Sequence, residues 1–140
     1  MKIGMRLVAG LAWLVCVAQA HAGFHMFRIE QLYTNADGTV QFVTMTTSFG
    51  GENSSSGVPF RATDATGTTK TFIFPNNLIG STAGKRILIA TQSFAALGLV
   101  APDFLIPDHF VPTAGGTVGT PYSTLSYSAG QLPNDGVNAL

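Results

Sequence analysis

Phe24-His25-Met26-Phe27-Arg28-Ile29-Glu30-Gln31-Leu32-Tyr33, then Asn35-Ala36-Asp37-Gly38, then Thr39-Val40-Gln41-Phe42-Val43-Thr44-Met45-Thr46-Thr47: two strand-like runs around one turn set the fold class. Residues branched at Cβ, and aromatic ones, suit a pleated strand better than a helix. Asp-Gly is a strong turn dipeptide because glycine accepts a positive φ. Residues 24–47 therefore read as a β-hairpin. In its first arm Phe27 and Ile29 fall on one face, Arg28 and Glu30 on the other. In its second arm Val40 and Phe42 compete with Val43 and Met45 for the core side.

The same grammar repeats further along. Residues 50–57, centred on Asn53-Ser54-Ser55-Ser56, read as a loop. Residues 60–63 and 69–74 flank Asp64-Ala65-Thr66-Gly67 as a second hairpin. Phe72 and Phe74 share a face there and are expected in the core, and Pro75 ends the strand by removing a ladder donor. Ile87-Leu88-Ile89-Ala90 lacks alternation and predicts a strand buried on both faces. Residues 93–98 predict one helical turn, capped by Ser93 or Thr91 and stopped by Gly98. Residues 103–106 form a short strand between Pro102 and Pro107. Residues 115–118 and 123–127 are weaker strand candidates, and the last ten residues read as loop. Asn134-Asp135-Gly136 is followed by only four residues, with no closing strand and no sorting signal, which leaves open whether the chain is cut short there. Many short strands separated by turn signals predict an all-β sandwich.

Ahead of this lies a stretch of another kind. Lys2 and Arg6 give a basic start, residues 7–17 are mostly apolar, and Ala20-His21-Ala22 matches the small-x-small pattern of a signal-peptidase site. The expected domain plan is a signal peptide over residues 1–22 and one domain over residues 23–140, with Gly23 as the mature start. A cut after Ala20 is the competing register, and an uncleaved anchor is the alternative outcome. The apolar run is shorter than the roughly 20 residues of a membrane span, so no span is expected after processing. Cys16 follows Val15, where a lipoprotein signal wants a small residue. The sole cysteine, Cys16, and sole tryptophan, Trp13, both fall in this stretch. The mature chain thus has no disulfide, and the expected compartment is periplasmic or extracellular.

Removing the first 22 of 140 residues leaves 118, enough for one domain that folds without staples. Seven basic residues balance seven acidic ones; without Lys2 and Arg6 five face seven, a net charge of −2. No basic stripe marks a nucleic-acid surface. All 10 phenylalanines follow the leader, aromatic bulk that argues for a core and against disorder.

Chemistry-bearing groups are few. Two histidines survive processing, His25 and His109, the second in Pro107-Asp108-His109-Phe110. A zinc site needs three or four ligands at fixed geometry, which two distant histidines do not specify. No serine sits in a Gly-x-Ser-x-Gly elbow. Asp103 and Asp108 are the raw material of a carboxylate pair, but their prolines favour solvated strand ends. Asn35, Asp37, Asp64 and Asp135 occupy turns, where Asx residues bond locally; no EF-hand pattern accompanies them. Ala114-Gly115-Gly116-Thr117 lacks the lysine and helix of a phosphate loop. Asn53-Ser54-Ser55 matches the N-glycosylation triplet, which matters only in a eukaryotic secretory pathway.

Phe27-Arg28-Ile29-Glu30-Gln31-Leu32-Tyr33 with Gln41-Phe42-Val43-Thr44-Met45 resembles the opening strands of lamin-tail-type domains. Asp64-Ala65-Thr66-Gly67 to Phe72-Ile73-Phe74-Pro75, then Ala83-Gly84-Lys85-Arg86-Ile87-Leu88-Ile89, is similar to that family's strand, Phe-x-Phe-Pro and Gly-x-x-apolar segments. Thr44 stands where the family usually has glutamate, and Phe60 near its usual tryptophan. The resemblance covers residues 24–91. It implies an immunoglobulin-like β-sandwich serving as a binding or structural module, and it carries no catalytic residues over.

The expectation is an exported, non-catalytic module that meets a protein or surface partner, with no cofactor, no metal and no nucleic acid. The alternative is a small secreted hydrolase or metal-dependent enzyme using His25, His109 and nearby acids. A cluster of those groups in one pocket favours the enzyme; dispersal favours the module.

Overall fold

A computed structural model describes residues 23–140. The expected leader, with Ala20 and Ala22, lies outside the described residues, and Gly23 is the first of them.

Both hairpins form where their turns predict. β1 (Arg28–Thr34) and β2 (Gln41–Thr46) pair antiparallel. In their turn Asn35 Oδ1 accepts from the Val40 amide at 3.0 Å, Asp37 Oδ1 accepts from the Thr39 amide at 3.0 Å, and Gly38 takes φ 76°. β3 (Pro59–Asp64) and β4 (Thr69–Ile73) likewise pair antiparallel. There Asp64 Oδ1 accepts from the Thr66 and Thr68 amides, each at 2.9 Å. β4 stops at Ile73, two residues before Pro75.

The facing of β2 resolves in favour of Val43 and Met45, both fully buried. Phe42 takes the outer face, half-buried against Phe94. Simple alternation fails in β1, because a bulge between Ile29 and Gln31 shifts the phase. Phe27 before the bulge, and Leu32 and Thr34 after it, are all buried. One inserted residue is what moves the inward set from odd to even positions.

β5 (Arg86–Thr91) leads directly into α1 (Gln92–Ala96), and β6 (Phe104–Ile106) returns parallel to β5. Thr91 is the N-cap, its hydroxyl accepting from the Phe94 amide at 3.3 Å, and Gly98 follows with φ 68°. Ile87 and Ile89 point inward, while Ala90 is buried on the outer face beside Phe42, its partner across the ladder. The expected double burial of this strand follows from α1, which packs on β2, β5 and β6. Leu88 is only half-buried. β7 (Gly116–Thr120) and β8 (Ser123–Tyr127) form the last antiparallel pair.

The strands build two four-stranded sheets, β1-β2-β5-β6 and β4-β3-β7-β8, packed as a sandwich. The chain crosses between the sheets after β2, again after β4, and again after β6. β6 is an addition on the outside edge of β5.

Between the sheets lies a chain of phenylalanine rings. Phe27 stacks on Phe24 at 4.7 Å, Phe24 meets Phe74 at 5.5 Å, and Phe74 stacks on Phe104 at 4.3 Å. Phe60 links Phe74 at 6.0 Å to Phe110 at 5.7 Å. Phe74 is fully buried as expected; Phe72 is at the core's margin, half-buried and edge-on to Phe74. The last ten residues hold no strand, but Leu140 exchanges both backbone hydrogen bonds with Leu32, at 2.9 and 2.8 Å.

Candidate functional site

The two histidines stand at opposite ends of β1. Ahead of that strand, Phe24 is sunk in the core and the buried Glu52 carboxylate accepts from the His25 amide at 2.6 Å and the Met26 amide at 3.1 Å. The His25 ring then lies edge-on to Tyr122, with centroids 4.6 Å apart. His109 sits past the far end of β1, its amide donating to Gly38 in the first hairpin turn at 2.9 Å. Its φ of 59° is left-handed, a conformation His adopts more readily than most residues. It reverses the chain so that Phe110 enters the core. Seven strand residues at about 3.3 Å each separate the two rings by roughly 20 Å, so no common site exists.

The carboxylates are engaged with backbone. Asp103 Oδ2 accepts from the Leu88 amide at 2.8 Å, and its own amide donates to the Leu88 carbonyl. Asp108 accepts from the Ser93 amide at 3.1 Å and from the Ser93 hydroxyl, which fixes the start of α1. β6 lies between these two aspartates, so they do not form a pair. The Ser93 hydrogen bonds hold the Asp108 carboxyl below its usual range. Bonds from Thr39 do the same for Asp37, and bonds from Thr66 and Thr68 for Asp64. Asp135, accepting from the Asn138 and Val137 amides, is brought down to about 2. These shifts come mainly from local hydrogen bonds, with the nearby His109 a lesser cause at Asp37 and Asp108, and they favour the charged form; none creates a proton donor near neutrality. Among the described residues no three His, Cys, Asp or Glu side chains are grouped to hold a metal.

Two other motifs have structural explanations. A Cβ on Gly116 would lie 2.2 Å from the Thr63 carbonyl oxygen, so this glycine lets β7 close against β3. Ser55 of the Asn53-Ser54-Ser55 triplet is fully buried and donates to the Asn76 carbonyl at 2.8 Å, holding the loop against the segment after β4.

Sequence reasoning missed Gln41 and the outer face of the β1-β2-β5-β6 sheet. Gln41 is fully buried; its Oε1 accepts from the Val111 amide at 2.9 Å and its Nε2 donates to the Val111 carbonyl at 2.8 Å. It clips the chain that crosses toward β7 onto β2. A polar residue heading a strand gives no sign of that long-range role. On the outer face, Phe42, Leu88, Phe94 and Val100 line a groove of about 390 Å³, rimmed by Gln31 and Arg86. Arg86 is paired with Glu30, Nη2 to Oε1 at 2.6 Å. That volume suits a small ligand; Thr44 and Asp103 also line it, the latter with its carboxylate on the Leu88 amide. Among the described residues no helix is long and apolar enough to cross a membrane.

Compared with protein-family models, curated proteins and solved structures, the chain matches none of them.

Proposed function

We propose that the protein is an exported, non-catalytic module, periplasmic or extracellular, that works by contact with a protein or a surface. One observation carries the reading. The only two histidines outside the leader lie at opposite ends of the sandwich; Asp37 and Asp108 are near His109, but the first is bonded into its own turn and the second to the start of α1. General acid–base or metal chemistry needs such groups to converge. Within this class we favour the lamin-tail type. The segments that resemble that family are the ones forming β1, β2, β4 and β5, the part of the sandwich before β6.

The test is made on protein recovered from the exported fraction. Its intact mass should match a chain beginning at Gly23, without Cys16; a mass retaining Cys16 contradicts the processing. The same sample should show no turnover on ester, glycoside or peptide substrates. His25→Ala/His109→Asn is the control, since Asn accepts the left-handed backbone at 109. Hydrolysis that falls by about 10²–10⁴-fold in the folded double variant overturns the module reading in favour of the hydrolase.

A further inference from the structure

The outer face of the β4-β3-β7-β8 sheet sets an unpartnered cation among hydroxyls. Register aligns Thr69, Thr63, Thr117 and Ser126 in one row across the four strands, and Thr71, Arg61, Gly119 and Thr124 in the next. The first row is tied in pairs, Thr63 to Thr69 at 2.8 Å and Thr117 to Ser126 at 2.9 Å. Arg28 bonds carbonyls and Arg86 bonds Glu30. The Arg61 side chain, by contrast, is exposed and makes no hydrogen bond or ion pair among the described residues. Neither row contains a carboxylate.

Gly119 is the ladder partner of Arg61 on β7. At φ 147° a Cβ there would lie 2.1 Å from the Ser123 carbonyl oxygen, so the position requires glycine. A groove of about 190 Å³ lies here, lined by Arg61, Thr63, Thr117, Gly119, Thr124 and Pro121.

We propose that this face binds an acidic glycan: Arg61 takes a carboxylate or sulfate in the groove over Gly119, and the threonine rows meet the ligand's hydroxyls. A guanidinium presents a planar fork that matches such acids bidentately. Hydroxyls both donate and accept, which suits a hydroxyl-rich chain. The two rows themselves hold no aromatic or apolar anchor of the kind that centres protein interfaces; the exposed Ile73 lies beyond them, past Thr71 on β4. The inference rests on the contact-module reading and names its ligand class.

Titration of the purified protein with polygalacturonate, dextran sulfate and uncharged dextran tests it. At least one acidic polymer should bind and dextran should not. Arg61→Gln should weaken binding at least about tenfold, the loss of one charge-assisted contact, while Arg86→Gln on the opposite sheet leaves it unchanged. Arg61 supports no other residue, so Arg61→Gln should keep the parent's melting midpoint. Preference between the two acids identifies the group recognised. Binding by Arg61→Gln equal to the parent, equal binding of dextran, or no binding of either acidic polymer each overturns the site. None of those results touches the module reading, which fails on turnover instead.

Discussion

β3 alternates cleanly, with Phe60 and Ala62 fully inside and Arg61 and Thr63 facing out, whereas β5 buries Ile87, Ile89, Ala90 and Thr91 almost in succession. The two strands are central in their sheets and nearly equal in length, so position does not explain the contrast. What differs is the second face. α1 lies across the outer face of the β1-β2-β5-β6 sheet, where Phe42 stacks on Tyr33 at 5.0 Å and meets Phe94 edge-on at 5.5 Å. The outer face of β4-β3-β7-β8 has no helix over it among the described residues and carries threonines, Arg61 and the exposed Ile73. One sheet therefore spends both faces on packing, and the other leaves one face open to solvent.

The sharpest blow to the shared interior is Phe74→Ala, since Phe74 touches Phe24, Phe60 and Phe104. It should cost about 3–5 kcal/mol, out of a typical total of about 5–15 kcal/mol. Phe72→Ala, two residues earlier and within β4, should cost clearly less. Denaturant midpoints check both, and equal losses would mean the core extends past the β4 edge.

Next in size is Gln41→Leu. It leaves the buried Val111 amide and carbonyl without their partner, at about 1–3 kcal/mol for each orphaned group. A variant as stable as the parent would show that the crossing segment is not held by this clip.

The smallest pair addresses the two outer faces directly. Phe42→Ala should cost at least about 1 kcal/mol through its lost ring contacts, while Thr71→Ala should stay within about 0.5 kcal/mol. Similar losses at both positions would erase the difference between the sheets.

This difference also governs what could be read from the chain. The β3–β4 hairpin was legible because one face is solvated, so period-2 alternation survives and Asp64-Ala65-Thr66-Gly67 marks the turn. The β1–β2 hairpin was legible in extent but not in facing. The bulge at Ile29 to Gln31 shifts the phase in β1, and packing under α1 makes both faces of β2 partly apolar. Thr91 and Gly98 announced α1 correctly, because capping is local. The role of Gln41 and the groove beside Arg61 were not legible. Both depend on partners far away in sequence: Val111 lies 70 residues from Gln41, and Gly119 meets Arg61 only through sheet register.

The central claim is that the protein acts through a face and that its histidines are idle. Parallel titrations of the parent, Arg61→Gln and His25→Ala/His109→Asn with polygalacturonate and dextran sulfate test it most directly. The account predicts that the histidine variant binds like the parent and that Arg61→Gln binds at least about tenfold more weakly. Binding lost with the histidines and kept without Arg61 would contradict it.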